Sequence, residues 1–459
     1  MSGLSSIEHI VVLMLENRSL DHMLGYLYSA SGNVSPSGSS FEGLTGTEEN
    51  PDADGNPIKV FPINPSTPNA YSMPGADPGE GYTATNSQLF GSTTAPADGT
   101  AATMNGFVSD YSYTLGWESA PSSGYTVVAG TSAGDIMGCF TPEALPVLSG
   151  LARGFAVCDH WYGSAPTETL PNRAFACLGT SQGHLDDKAR TFTAPSIFGA
   201  LTNHDIGWAV YGYDAQPLAR YSYADITSAA ATHFGLFGAF TAAAAAGTLA
   251  PYTWLEPSWG ASGNSQHPNY DVALGEQLIH DVYYALRNGP AWNQTLLIIT
   301  YDEHGGCYDH VAPPWGATPP DKTAGEYGFD FTRFGPRVPT VLVSPLIEAG
   351  TVFRAPEGGP PLDHTSILKT IENRWGLPAL TARDGAAPDV SGVLTLATAR
   401  TDDPLAGVTA PAAAPAPVGA PPSHLQEVLA DLISRQHRAG TPEPVLRTEA
   451  DADQYTRMP

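Results

Sequence analysis

Residues 10–22 read IVVLMLENRSLDH, and residues 296–306 read LLIITYDEHGG. In each, an apolar or β-favouring run of strand length runs straight into oxygen-bearing side chains. These are Glu16 and Asn17 in the first stretch, Asp302 and Glu303 in the second. Runs this short, bounded by charges, read as buried strands rather than as independent helices. In α/β sheets, ligands bind at the carboxyl ends of strands. If the two strands run parallel, Glu16, Asn17, Asp302 and Glu303 meet at one end of the sheet. Three carboxylates brought close together repel one another and need a cation to stay ionised. Carboxylate and amide oxygens suit a hard or borderline divalent ion. Spacing alone leaves a second reading open, in which Glu16 pairs with Arg18 and Asp302-Glu303 is a solvated turn.

The surrounding chain fits a layered α/β fold. GFAVCDHWYG (154–163) reads as another buried strand ending in Asp159 and His160, and VPTVLVSPL (338–346) as a further one. DVALGEQLIHDVYYALRNG (271–289) predicts a helix with Val272, Leu278, Ile279, Val282 and Leu286 near one face, stopped by Gly289-Pro290. The strand at 295–301 follows at once, an α-to-β step. DHTSILKTIENRWGLP (363–378) predicts a second helix, with Asp363 as N-cap and Gly376 and Pro378 at its end. Residues 31–105 are rich in Gly, Ser, Pro, Asn and Thr and read as a loop-rich, lid-like insertion. A catalytic unit over 1–384, a Pro/Ala-rich linker over 385–422 and a short C-terminal helix and tail over 423–459 are expected. Ser423 and Gln426 form a capping box for that helix, which is expected to dock on the body or on another subunit.

Composition narrows the function. The 459 residues carry 20 Lys and Arg against 46 Asp and Glu, a formal charge of −26. Such a surface repels nucleic-acid backbones and strongly anionic membranes, while a zwitterionic head group is tolerated. Cys139, Cys158, Cys177 and Cys307 show no metal-binding spacing and read as single buried thiols. No stretch is long and apolar enough to span a bilayer. The N-terminus lacks a basic region and a cleavage site, so a cytoplasmic location, or export without a cleavable signal, is expected.

The third chemical element is GSAPTETLPNRAF (163–175), in which Pro166 and Pro171 bracket Thr167, Glu168 and Thr169 in a stiff loop. A hydroxyl held rigidly beside a divalent ion can lose its proton near neutrality and attack phosphorus. Arg173 offers a guanidinium that could grip phosphate through two parallel hydrogen bonds. The alternative is a polar turn with ordinary threonines.

Four motifs in order, ENRSLDHMLGYL (16–27), APTETLPNR (165–173), YDEHGGCYDHVAPP (301–314) and DHTSILKTIENRWG (363–376), resemble a known phosphoesterase family. Its members include bacterial phosphocholine-preferring phospholipases C, plant non-specific phospholipases C and a related acid phosphatase. The resemblance runs from about residue 7 to about 384, and MNGFVSDY (104–111) adds to it. It implies an alkaline phosphatase/sulfatase-like α/β fold, a mixed, mostly parallel sheet between helices. It implies a divalent metal, Ca, Mg, Mn or Zn, held by Glu16, Asn17, Thr169, Asp302 and Glu303. The nucleophile of the family lies three residues before the Asn of Pro-Asn-Arg, which here is Thr169 rather than Thr167. Double displacement through a phosphothreonine follows, with the alcohol leaving on a proton from His364, His267 or His304. His364 ranks first, because it opens a helix whose free N–H groups attract anions. Arg173, His304 and Glu80 are the expected substrate contacts. Asp21 and His22 are expected to brace the loop, and His310 the turn at 305–311.

DPGEGYTATNSQLFG (77–91) departs from the family, where the position of Glu80 usually holds His. Glu80 is therefore an acid of raised pKa, a partner for a cationic head group, or the mark of a different substrate. Choline would want an aromatic cage, for which Trp117, Trp161 and Tyr162 are candidates. The expected activity is that of a phospholipase C-type phosphodiesterase releasing diacylglycerol and a phosphorylated head group. An acid phosphatase-like monoesterase, a catalytically silent binding protein and an exported toxin-like effector are the alternatives.

Overall fold

His9–Leu15 forms a strand whose residues from Ile10 onward are completely buried. Thr295–Tyr301 lies beside it in parallel, with His9 opposite Thr295 and Leu15 opposite Tyr301. That register puts Glu16 and Asp302 side by side where both strands end. The computed structural model describes residues 3–120, 123, 125–268, 270–417, 419–437 and 445–457.

The central sheet has eight strands. In chain order they are β1 (His9–Leu15), β2 (Ala156–Cys158), β3 (Trp208–Gly212), β4 (Phe234–Leu236), β5 (Tyr252–Glu256), β6 (Thr295–Tyr301), β7 (Thr340–Val343) and β8 (Thr351–Val352). Their spatial order is β8-β2-β7-β6-β1-β5-β3-β4. Only β7 runs against the others, pairing antiparallel with both β6 and β2. The sheet is thus mostly parallel, and β1 and β6 sit at its centre. Each buried Ile, Leu or Val on these two strands contributes about 1.5–3 kcal/mol of apolar burial, which fixes the register tightly.

The helices that matter here are α1 (Tyr82–Phe90), α2 (Phe107–Glu118), α3 (Pro146–Gly154), α4 (Thr169–Leu178), α5 (Leu218–Ser222), α6 (Val272–Arg287), α7 (Thr365–Trp375), α8 (His424–His437) and α9 (Glu449–Arg457). On α6 the apolar residues expected on one face are all buried, and Asp271 caps the helix by accepting from the Ala273 N–H. Glu276 also points inward from α6. It accepts from the Val147 and Leu148 N–H groups at 2.7 and 2.9 Å, closing the start of α3, whose own N-cap offers no side chain. Burial pushes this carboxyl up to about 7.

Several expectations shift in detail. The strand expected over 154–163 is broken: β2 stops at Cys158, and Trp161–Tyr162 pairs instead with Leu362–Asp363 in a separate two-stranded sheet. Asp159 is held by Arg354, His160 and the Glu42 N–H, away from the end of β1. Asp363 ends that small strand, so the N-cap position of α7 falls to His364; the Asp363 carboxylate still accepts from the Thr365 N–H. The region 31–105 contains α1 and several short strands as well as loops. The capping box at Ser423 and Gln426 is present, with reciprocal bonds of 2.9 and 3.1 Å. α8 packs on α5, burying Leu425, Val428, Leu429, Leu432 and Ile433. Part of the tail expected after α8 (438–444, 458–459) lies outside the described residues. All four cysteines are buried free thiols. Among the described residues, no helix is long and apolar enough to cross a membrane.

Candidate active site

The ends of β1 and β6 are stitched together by their own polar residues. The Asn17 N–H donates to Asp302 Oδ1 at 3.0 Å, and the Glu303 N–H donates to the same oxygen at 2.8 Å. Asn17 holds a left-handed backbone (φ 54°), a conformation Asn tolerates better than most residues. The turn after Glu303 presses against it. A Cβ on Gly305 would lie 1.8 Å from the Asn17 carbonyl oxygen, and Gly305 itself has φ +63°. Only glycine meets both demands.

Thr169 enters from α4, where it is the first helical residue. Its hydroxyl donates to Asn17 Oδ1 at 3.1 Å. The loop before it is fixed by Asn172, whose side chain accepts from the Ala165 N–H and donates to the carbonyls of Ala165, Thr167 and Glu168. Thr167 is spent on structure, donating to the Leu185 carbonyl at 2.6 Å. Of the two threonines, Thr169 is the one that faces the strand ends. The Asn17 amide reaches the other way too, donating to Glu80 Oε1 at 2.7 Å.

Beyond Thr169 opens a cavity of about 850 Å³ lined by Glu16, Asn17, Asp77, Glu80, Glu168, Asp187 and His267, among others. His267 Nε2 lies 3.3 Å from Glu80 Oε1, and its Nδ1 lies 3.8 Å from Asp77 Oδ1. Burial works against a charge on this ring, but the Asp77 and Glu80 carboxylates outweigh it and raise its pKa well above that of a free histidine. For Glu80, burial opposes ionisation, yet His267 and the Asn17 amide hold its pKa below the usual value. Glu80 is therefore a carboxylate at neutral pH, and the expectation of a raised pKa there is overturned. Burial and the neighbouring Asp187 push Glu168 up to about 8.

The residues expected to hold a metal are partly gathered. Glu16 and Glu303 are 1% and 2% exposed, and each keeps one carboxylate oxygen (Oε2 and Oε1) without a hydrogen-bond partner. Burial, with Asp302 adding to it, pushes Glu16 up to about 7, and burial raises Glu303 well above the ordinary value. Orphaned buried carboxylate oxygens of this kind are costly without a cation. With Asn17 Oδ1 and the Thr169 hydroxyl they make an all-oxygen donor set that fits a divalent ion. Asp302 is engaged otherwise, bonded to the Asn17 and Glu303 N–H groups and to Arg173. Glu16, Asp302 and Glu303 do not draw their oxygens as close together as two other groups do. Asp77, Glu80 and His267, and likewise Asp21, Asp309 and His310, each place one ligand atom per residue within 4.8 Å of the others. The second of these is already served by a guanidinium: Arg337 bonds both Asp309 oxygens and Asp21 Oδ1. Asp21 and His310 thereby brace the loop and turn as expected.

Three expected site residues lie behind the site rather than in it. Arg173 Nε donates to Asp302 Oδ2 at 2.9 Å, and Nη2 to the carbonyls of Met14 and Leu15. It fastens β6 to β1 and does not reach the cavity floor as a phosphate clamp. The ring of His364 is fully buried: Nε2–H donates to the Asp302 carbonyl at 2.6 Å, and Nδ1 accepts from the Trp161 indole at 3.3 Å. Both nitrogens are committed, and burial lowers its pKa, so His364 is not placed as a proton donor to a substrate. His304 Nε2 is bonded to Gln88 Oε1 at 2.7 Å, and burial drives its pKa down to about 3. The aromatic cage does not form as expected either. Trp161 and Tyr162 are buried elsewhere and Trp117 packs on Tyr125, while Tyr125, Trp259 and Tyr270 line the cavity. Asp77 was legible within the same motif as Glu80. Nothing in the sequence pattern marked Trp259, Tyr270 or Asp187.

The sequence matches the Phosphoesterase family over residues 7–378. The chain belongs to that family. It is similar to non-specific phospholipase C6 of Arabidopsis thaliana, 37% identical over 90% of this chain and 76% of that protein. It is also similar to phospholipase C A of Mycobacterium tuberculosis, 28% identical over 86% of this chain and 78% of that protein. Among solved structures, a protein of the alkaline phosphatase superfamily from Vibrio parahaemolyticus is similar at 12% identity. That match covers 54% of this chain and 65% of the other, with a TM-score of 0.33. As a member of the Phosphoesterase family, the chain is a phosphoric ester hydrolase.

Proposed function

We propose that this phosphoesterase is a phospholipase C-type phosphodiesterase that splits phospholipids into diacylglycerol and a phosphorylated head group. The observation that carries the reading is the Thr169 hydroxyl, held 3.1 Å from Asn17 Oδ1 where β1 and β6 end at the cavity floor. The names of the similar plant and mycobacterial proteins support the substrate class.

Thr169 is the nucleophile in this reading. It sits in the first turn of α4, where the positive end of the helix favours an incoming phosphate. Asn17 orients its hydroxyl. Thr169 Oγ attacks phosphorus, its hydroxyl proton passing to water in the cavity and returning when Thr169 later leaves, and the bond from phosphorus to the glycerol oxygen breaks. His267, kept protonated by Asp77 and Glu80, gives its proton to that leaving oxygen. The neutral ring then takes a proton from water, which attacks the phosphothreonine and frees Thr169 and the phosphorylated head group. A divalent ion held by Glu16, Asn17, Thr169 and Glu303 would supply Lewis-acid stabilisation of the charge that builds on phosphate oxygens.

The cavity wall favours a diester over a monoester. Glu80 and Asp186, whose pKa values are held below the usual carboxylate range, face it as ionised groups, while burial raises the pKa values of Glu16, Glu168 and Asp187. A dianionic monoester meets more repulsion there than a monoanionic diester, and a cationic head group meets attraction. The test is hydrolysis of phosphatidylcholine and of a chromogenic phosphate monoester by wild type and Thr169→Ala. Phosphocholine released by wild type and lost in the variant supports the proposal. Monoester hydrolysis alone moves the protein to the phosphatase branch.

A further inference from the structure

The cavity over Thr169 has two chemically different sides. Its floor is acidic and polar. Another part of its lining comes from far along the chain, from residues 414–417 and 420–425. Ala414, Pro415, Ala416 and Pro417, then Ala420, Pro421 and Pro422, present methyl groups and pyrrolidine rings with few free N–H donors. From the sequence this stretch is a spacer, and no role at the site attaches to it.

The stretch is tied down at both ends and in the middle. The Ala414 N–H donates to Asp271 Oδ2 at 2.6 Å, beside the start of α6. The Glu449 N–H donates to the Ala420 carbonyl at 2.9 Å. The Glu449 carboxylate reaches on to Ser262, accepting from its N–H and hydroxyl at 2.9 and 2.6 Å. His424 Nε2 donates to the Asp187 carbonyl at 3.0 Å, and Asp187 Oδ1 accepts from the Leu170 N–H at 2.7 Å. Leu170 is the residue after Thr169 and belongs to the same apolar cluster as Leu425, Leu429 and Trp259. The C-terminal helix is thus packed directly behind the nucleophile, and the strap that leads to it runs along the cavity. Proline fixes φ, so the strap is stiff without a hydrogen-bonded partner strand.

We propose that this strap, residues 414–417 and 420–425, is the apolar wall of the substrate pocket and holds the glyceride side of the scissile phosphoester. The proposal rests on the phospholipase C reading and deepens it. With phosphorus at Thr169 and the leaving glycerol oxygen at His267, the acylated remainder of the alcohol runs from His267 along the strap, and the head group rests against the carboxylates of the floor. Carboxylates suit a polar or cationic head group, and a Pro/Ala surface suits the acylated glycerol. The strap therefore selects for the leaving alcohol and takes no part in the chemistry.

The test compares wild type, Ala416→Glu and Ala416→Leu in the full chain. Each is assayed on phosphatidylcholine in mixed micelles and on p-nitrophenyl phosphocholine, a small diester with no glyceride. Thermal melts check that the variants fold. The ratio of kcat/KM on lipid to kcat/KM on the small diester is expected to fall at least tenfold in Ala416→Glu, mainly through KM. In Ala416→Leu, which keeps the wall apolar, the ratio is expected to stay within twofold of wild type. A ratio unchanged in Ala416→Glu, or lost equally in both variants, overturns the wall while leaving the phospholipase C reading intact. Wild type that splits the small diester but no lipid overturns both.

Discussion

Glu16→Gln separates the cost of the buried carboxylates from the gain of binding a cation. Glu16 is 1% exposed, and burial with the nearby Asp302 raises its pKa from 4.5 to about 7. An acid whose folded pKa is raised binds its proton more tightly in the folded state. Its stabilising contribution is fully present below the unfolded value and is lost as pH rises through about 7. Between pH 5 and pH 8 a shift of that size removes about 2.5 kcal/mol of stability from the chelated protein. Glutamine keeps the shape and cannot ionise. In urea denaturation with a chelator, the stability difference between Glu16→Gln and wild type should therefore shift by about 2.5 kcal/mol in favour of the variant from pH 5 to pH 8. A divalent cation added at pH 8 should stabilise wild type and do little for Glu16→Gln, because ligand binding stabilises only the state that binds. Parallel pH profiles for the two chelated proteins, or full cation stabilisation retained by the variant, would refute the reasoning.

Gly305→Ala forces a Cβ against the Asn17 carbonyl at positive φ, and is expected to destabilise by at least about 2 kcal/mol and to abolish the cation-induced gain, read by the same denaturation. Arg173→Met leaves Asp302 buried without its cationic partner, and a loss of about 3–5 kcal/mol is expected in urea. Wild-type kcat should hold through neutral pH and fall at higher pH as His267 loses its proton, since Asp77 and Glu80 raise its pKa. His267→Asn should cost about 10²–10⁴ in kcat on an alkyl leaving group and much less on p-nitrophenolate, which leaves without a proton; stopped-assay rates on both substrates measure this.

The centre of the fold was legible because its signal is local. Ile10–Leu15 and Leu296–Tyr301 are continuous apolar runs, and their polar ends report where the strands stop. The helix over 272–287 is legible for the same reason, with its period and its Gly-Pro stop. What sequence could not supply is direction in space. His364 and His304 carry the right chemistry in the right motifs, but one is clamped between Trp161 and the Asp302 carbonyl and the other is bonded to Gln88. Arg173 carries a phosphate-binding group and spends it on Asp302 and two strand carbonyls. These are long-range contacts, and no periodicity encodes them. The reverse failure is the Pro/Ala stretch, whose composition reads as a spacer although it runs along the cavity. The packing of α8 on α5, with the bonds from Ala414 to Asp271 and from Glu449 to Ala420, brings it there.

The most direct measurement is an acid quench of the enzyme during turnover of a phosphatidylcholine labelled in its head group, followed by mapping of the trapped phosphate ester by mass spectrometry. The account predicts a phosphorylated head group bound to the peptide that contains Thr169, absent in Thr169→Ala, which should also lose at least about a thousandfold in turnover. A trapped ester on another residue, or a Thr169→Ala variant that turns over normally, would contradict it.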